Sequence, residues 1–177
     1  MHATSEHVRE VLAGRGPHEL AGLFSRAAAP EPLPDGRYVG DLLAITIAPG
    51  VDGALEAAFR RTRPWLGKRF DAQAGTGENV LDRSVWSLGR LLTPARFRSW
   101  WPEDAETYRA LPFATSTGPS LLDPAVSVLR IDYDLEQNLP RVRRILDELV
   151  EVEPGLHLGQ AIWRRGNGRR LAWFWLA

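Results

Sequence analysis

Of the 22 basic residues in this chain, Lys68 is the one lysine and the rest are arginines. An ammonium is a compact, strongly hydrated charge whose pKa moves on burial, whereas a guanidinium is a planar fork that stays charged, so the two do different chemistry. Lys68 sits in Trp65-Leu66-Gly67-Lys68-Arg69-Phe70-Asp71, which reads as a strand. Pointing into an apolar interior, it would bind a carboxylate, phenolate or enolate, or act with a lowered pKa as a base or imine-forming amine. Pointing outwards, it is a solvated surface residue. Strict alternation groups Leu66, Lys68 and Phe70 on one face and Trp65, Gly67 and Arg69 on the other, and two apolar companions favour the inward direction.

Asp132 is the second candidate for chemistry. It lies one strand period from Asp134, with Tyr133 on the opposite face, and beside an arginine or Lys68 it would serve as an anchor or general base. Against this, Ile131 and Tyr133 have the character of core residues, which would leave both aspartates to solvent or to the turn at Asn138. His157 is the one histidine outside the amino-terminal segment, so a multi-histidine metal site is nearly excluded, and a satisfied strand histidine is the ordinary alternative to a lone haem ligand. Ser84, Ser87, Ser116 and Ser120 lie in no Gly-x-Ser-x-Gly elbow, which disfavours a serine hydrolase. Gly75-Thr76-Gly77 and Gly166-Asn167-Gly168 lack the context of a phosphate loop and read as turns. Arg164, Arg165, Arg169 and Arg170 surround the second of these, as an anionic-partner site or a solvated hairpin tip. Trp100-Trp101-Pro102 would be an aromatic flap over a cavity mouth or a core corner.

These residues need a scaffold, and composition bounds it. At 177 residues the chain fits one domain able to bury a continuous core unaided. It has no cysteine, so disulfides, thiolate nucleophiles and cysteine-based metal sites are excluded. Acidic and basic residues balance at 22 each, so no net field favours nucleic acid. Neither a signal-peptide core nor a run approaching the ~20 apolar residues of a membrane span is visible, which leads to the expectation of a cytoplasmic protein. Seven tryptophans supply apolar area of the kind that lines cores and ligand cavities.

Ser5 and Pro17 open two short amino-terminal helices, carrying Val8, Val11 and Leu12, then Leu20, Leu23 and Phe24. The proline-rich stretch 29–36 is an extended connector. Strands are expected over 37–46, 65–71, 108–117 and 125–134, with a short helix over 54–61 and, within 73–102, a strand followed by a helix. Asn138 and Pro140 start a further helix whose stripe is Val142, Ile145, Leu146 and Leu149. Glu153-Pro154-Gly155 and Gly166-Asn167-Gly168 then turn two hairpins, ending on the doubly apolar strand 171–176. A strand apolar on both faces needs cover on each, so the sheet must close or carry helices outside. The expected fold is mainly β with helices (α+β): an antiparallel β-barrel over 36–177, with an amino-terminal helical segment, 1–28, packed on it and a short helix before the carboxyl-terminal meander.

Gly36-Arg37-Tyr38-Val39-Gly40 followed by the Lys68 segment resembles the bacterial GXWXG-domain proteins, whose hallmarks are a Gly-x-Trp-x-Gly strand and a downstream Trp-Tyr-Gly-Lys-Arg-Phe segment. Tyr133-Asp134, Pro140 and Leu158-Gly159 are similar to later features of that family, while Tyr38 stands where the hallmark has tryptophan. The resemblance spans roughly Gly36 to Gly159 and implies a calycin-like, lipocalin-type barrel without implying an established activity.

The function expected on these grounds is binding of a small hydrophobic molecule in an aromatic-lined cavity, with Tyr38, Lys68, Phe70, Tyr133, His157 and Trp173 meeting the ligand. Mild non-covalent catalysis, an isomerisation or cyclisation carried by positioning, is compatible with that site and would need no cofactor and no metal. The alternative is a non-catalytic carrier or a partner-recognition domain with a filled core. A monomer or homodimer, without nucleic acid or membrane partners, completes the expectation.

Overall fold

The computed structural model describes residues 8, 11–12, 14–46, 64–85 and 100–177. Helix α1 (Pro17–Phe24) is followed by nine strands: β1 (Gly36–Ile45), β2 (Trp65–Asp71), β3 (Thr76–Asp82), β4 (Trp100–Pro102), β5 (Thr107–Pro119), β6 (Ser127–Asp132), β7 (Ile145–Glu153), β8 (Leu156–Trp163) and β9 (Arg169–Leu176). Sequence neighbours other than β3 and β4 pair antiparallel, and two further pairings close the ring: β1 with β9, and β3 with β5. The result is a closed barrel of eight antiparallel strands, with β4 lying outside the ring against residues 108–110 of β5. Closure satisfies the edges that an open sheet would expose.

Alternation along each strand divides the apolar residues into two cores. One fills the barrel with Phe70, Phe113, Leu129, Ile131, Leu149, Phe174 and Leu176. The other lies outside the sheet, where Leu20 and Phe24 of α1 pack on Val128, Val150, Leu158 and Trp173, together with Val8 and Leu12. Helix α1 begins at Pro17, whose missing N–H costs nothing in the first turn, and the Glu19 carboxylate accepts from the Gly16 N–H. The expected helix over 54–61 and the helix expected late in 73–102 fall largely outside the described residues, as does most of the first amino-terminal helix.

The helix expected from Pro140 is not formed. Val142–Arg144 makes a single 3₁₀ turn, and Ile145 to Glu153 is strand β7, paired with β6 and β8. Ile145 and Leu149 face the barrel, while Leu146 and Val150 face outwards, the latter in the core under α1. Residues 145, 146 and 149 satisfy helical spacing only because a strand covered on both faces is apolar on both. The two acids between them are buried on opposite faces: Asp147 inside, and Glu148 outside, where it accepts from Ser120 Oγ (2.6 Å), the Leu121 N–H (2.6 Å) and Gln160 (2.8 Å).

Strand β2 also departs from strict alternation. Its pairing with β3 shifts between Trp65 and Gly67, a β-bulge, and Gly67 has φ 130°. A Cβ on Gly67 would overlap the Tyr38 carbonyl oxygen of β1, so only glycine fits. The bulge turns Trp65 to the same side as Lys68 and Phe70, instead of the opposite side that a regular strand requires.

Candidate functional site

Lys68 points into the barrel and is 1% exposed. Its Nζ donates to Asp147 Oδ2 (2.8 Å), Asn79 Oδ1 (2.9 Å) and Tyr133 Oη (2.5 Å). Three acceptors around one nitrogen match the three N–H bonds of an ammonium. Four rings complete the enclosure, with Trp65, Phe113, Tyr133 and Phe174 centred 5.4, 5.3, 5.2 and 5.3 Å from Nζ. A cation over aromatic faces recovers part of the hydration it loses.

The network extends beyond the ion pair. Asn79 Oδ1 also accepts from Trp65 Nε1 (2.9 Å), and the Asn79 amide nitrogen donates to Tyr133 Oη (3.0 Å) and to the Leu111 carbonyl (3.1 Å). The Tyr133 hydroxyl donates to Asp147 Oδ2 (3.0 Å). Leu111 holds φ 54°, a left-handed conformation that a leucine adopts only against steric resistance, and its carbonyl is fixed by Asn79. Next to it Asn138 donates to the Pro112 carbonyl (2.7 Å) and the Tyr133 carbonyl (2.9 Å), which locks the bend of β5 onto β6.

Burial pushes the Lys68 pKa below its ordinary value, against the opposing charge and hydrogen bond of Asp147. Burial, and then the Asp147 carboxylate, push the Tyr133 phenol well above its ordinary value, while the Asn79 hydrogen bond works the other way. Tyr133 is therefore a neutral donor at physiological pH.

This network is the floor of a pocket of about 280 Å³. Lys68, Asn79, Tyr133 and Asp147 are its polar residues, and Phe174 is buried with them. Its other walls are Leu42, Trp65, Leu111, Val142, Ile145 and Ala161, all half-buried. From Tyr133 a chain of edge-to-face contacts runs through Phe113, Phe70 and Tyr38 to His157, with centroids 5.3 to 5.7 Å apart.

The residues expected to meet a ligand are thus divided. Lys68 and Tyr133 are at the pocket, whereas Tyr38, Phe70 and His157 pack against one another elsewhere, away from its lining. Trp173 lies outside the barrel, under Phe24 (5.6 Å) and Arg170 (4.2 Å), because its neighbours Ala172 and Phe174 take the inward positions of β9. Asp132 is apart from the pocket, clasped by both terminal nitrogens of Arg164 (2.8 and 2.6 Å). Burial resists its ionisation, but Arg164 and the Asp134 N–H outweigh that and hold its carboxyl below the usual range. Arg164 and Arg170 are each tied to a side chain of the barrel wall, Asp132 and Gln160 respectively, rather than spread on a hairpin tip.

Asp147 and Asn79, two of the four polar residues at the pocket, escaped the sequence reading. Asp147 sits two residues from Ile145 and from Leu149, which is the signature of an inward acid once the segment is read as a strand. Asn79, between Gly77 and Val80, gives no local signal; its partners come from β2, β5 and the residue after β6. Among the described residues no cluster of histidine, aspartate or glutamate suits a metal, and no helix is long and apolar enough to cross a membrane. In comparisons with protein-family models, curated proteins and solved structures, nothing matches the chain.

Proposed function

We propose that this barrel binds a small, mainly apolar molecule in the pocket above the Lys68–Asp147 pair, in the manner of calycin-like barrels. The observation that carries the reading is the composition of the pocket wall: seven apolar or aromatic side chains around four polar ones that come from separate parts of the barrel and converge at one place. Concave apolar sites with a few convergent polar groups are the usual form of a small-molecule site. A volume of about 280 Å³ suits a compact ligand of two or three rings. The GXWXG resemblance rests on the same Lys68 segment and is compatible with such a barrel.

Binding without covalent chemistry is the form that the geometry favours. An imine-forming lysine needs a free amine, and all three Lys68 donors are engaged within the network. The expected role of Lys68 as a free anchor for a carboxylate is replaced by that of a fixed countercharge to Asp147.

The test is a fluorescence titration with N-phenylnaphthylamine, a neutral apolar probe, on the wild type and on Ala161→Phe. Ala161 lines the pocket and is small, so a phenyl ring there occupies the ligand's space. Saturable one-to-one binding that weakens by at least about tenfold in the variant, with the circular dichroism spectrum unchanged, supports the reading. No binding to the wild type, or equal binding to a folded Ala161→Phe, overturns it.

A further inference from the structure

The polar floor of the pocket has one unengaged atom, and its chemistry names the ligand class. Asp147 Oδ2 accepts from both Lys68 and Tyr133. Asp147 Oδ1 accepts no hydrogen bond among the described residues, although Asp147 is 5% exposed and lines the pocket. Every other polar group at the floor is taken up internally. Lys68 spends its three donors on Asn79, Tyr133 and Asp147, Asn79 uses both amide hydrogens and its oxygen, and Tyr133 gives its hydrogen to Asp147. Among the described residues the pocket therefore offers a bound molecule an acceptor and no donor.

We infer that the pocket selects neutral apolar molecules that carry one hydrogen-bond donor, a phenolic or alcoholic hydroxyl or an amine N–H, which Asp147 Oδ1 receives. The inference rests on the binding reading above and specifies its ligand. A buried charged acceptor strongly favours a donor, because an apolar ligand would leave it desolvated and unpaired. A carboxylate ligand meets the opposite situation: it would set a second anion beside Asp147, while Lys68 is already committed to the first. The selection is thus the reverse of the one a free lysine would impose, since a free ammonium would recruit anions.

Three probes on one ring system separate these outcomes: naphthol, naphthalene and naphthoate, each measured at neutral pH by displacement of N-phenylnaphthylamine from the wild-type protein. Naphthol is expected to bind at least about tenfold more tightly than naphthalene, and more tightly still than naphthoate. In Asp147→Asn, provided the circular dichroism spectrum stays native, the preference for naphthol over naphthalene is expected to shrink to less than about threefold. Equal affinity for naphthol and naphthalene in the wild type overturns the inference while leaving the binding reading intact. Tightest binding of naphthoate overturns it as well, and points to Lys68 as the anchor. If none of the probes binds and N-phenylnaphthylamine also fails, both readings fall together.

Discussion

At the scale of single residues, the centre of this protein is a lysine whose charge is confined on every side. Bringing an ammonium into a protein interior costs several kcal/mol unless a countercharge and good hydrogen bonds offset it. Lys68 has Asp147 at 2.8 Å, two further acceptors and four rings. Removing one partner strands the other. Lys68→Met is expected to lower unfolding free energy by about 3–5 kcal/mol, because it leaves Asp147 charged and buried. The double variant Lys68→Met with Asp147→Leu should recover at least about 2 kcal/mol of that loss, measured by urea denaturation, since two apolar groups need no countercharge. A double variant no more stable than Lys68→Met would show that the pair is not what holds these side chains inside.

Tyr133 gives the site a pH dependence whose sign is fixed. Its folded pKa lies well above the ordinary phenol value, so above pH ~10 the folded chain keeps a proton that the unfolded chain loses, and stability falls as pH rises. Lys68 works the other way. Its folded pKa is lowered, so the stability it contributes is present above the unfolded value and lost as pH falls through the folded one. Tyr133→Phe removes the first effect and keeps the second. Between pH ~9.5 and ~11.5 the unfolding free energy of the variant should therefore decline less steeply than that of the wild type. An identical or steeper decline would place the perturbed phenol elsewhere.

At the scale of elements, local irregularities position the site, and these were the features hardest to read. Strands β1, β2, β5 and β6 and helix α1 were legible within a few residues, because alternation, proline and glycine mark them locally. Alternation with Leu66 and Phe70 favours the inward direction of Lys68 without fixing its face. The side of Trp65 was not legible, because a bulge at Gly67 reverses it, and a glycine in a strand signals a bulge without saying which residue it moves. Strand β7 carries helical spacing, because a strand covered by α1 on one side and by the barrel interior on the other is apolar at positions that also fit a helical stripe. Read as a helix, the segment gives no sign that Asp147 is the inward partner of Lys68. Gly67→Ala tests the bulge directly. Its Cβ would meet the Tyr38 carbonyl at a φ of 130°, so a loss of more than about 2 kcal/mol in unfolding free energy is expected. A loss below about 0.5 kcal/mol would mean that β2 brings Trp65 to Asn79 without that bulge.

At the scale of the whole molecule, the barrel divides its interior between packing and vacancy. The ring chain from His157 to Tyr133 fills one region, and the pocket occupies another, with the charged network between them. Lys68 on β2, Asn79 on β3, Asp147 on β7 and Tyr133 just after β6 come from strands far apart in the chain, so the network exists only once the barrel closes. That long-range origin explains why a fold class was readable from the chain while most of its site was not: strand pairing across the ring, rather than spacing along it, brings these four residues together. The outer core under α1 leaves the interior free of any need to carry the whole stability of the fold.

The central claim is that the space above the Lys68–Asp147 pair is a ligand site. The titration of wild type and Ala161→Phe with N-phenylnaphthylamine tests it most directly. One probe per chain, displaced when a phenyl ring is built into the pocket from Ala161, is the expected result. A folded variant that binds the probe as tightly as the wild type, or a wild type that does not bind it, would contradict the account.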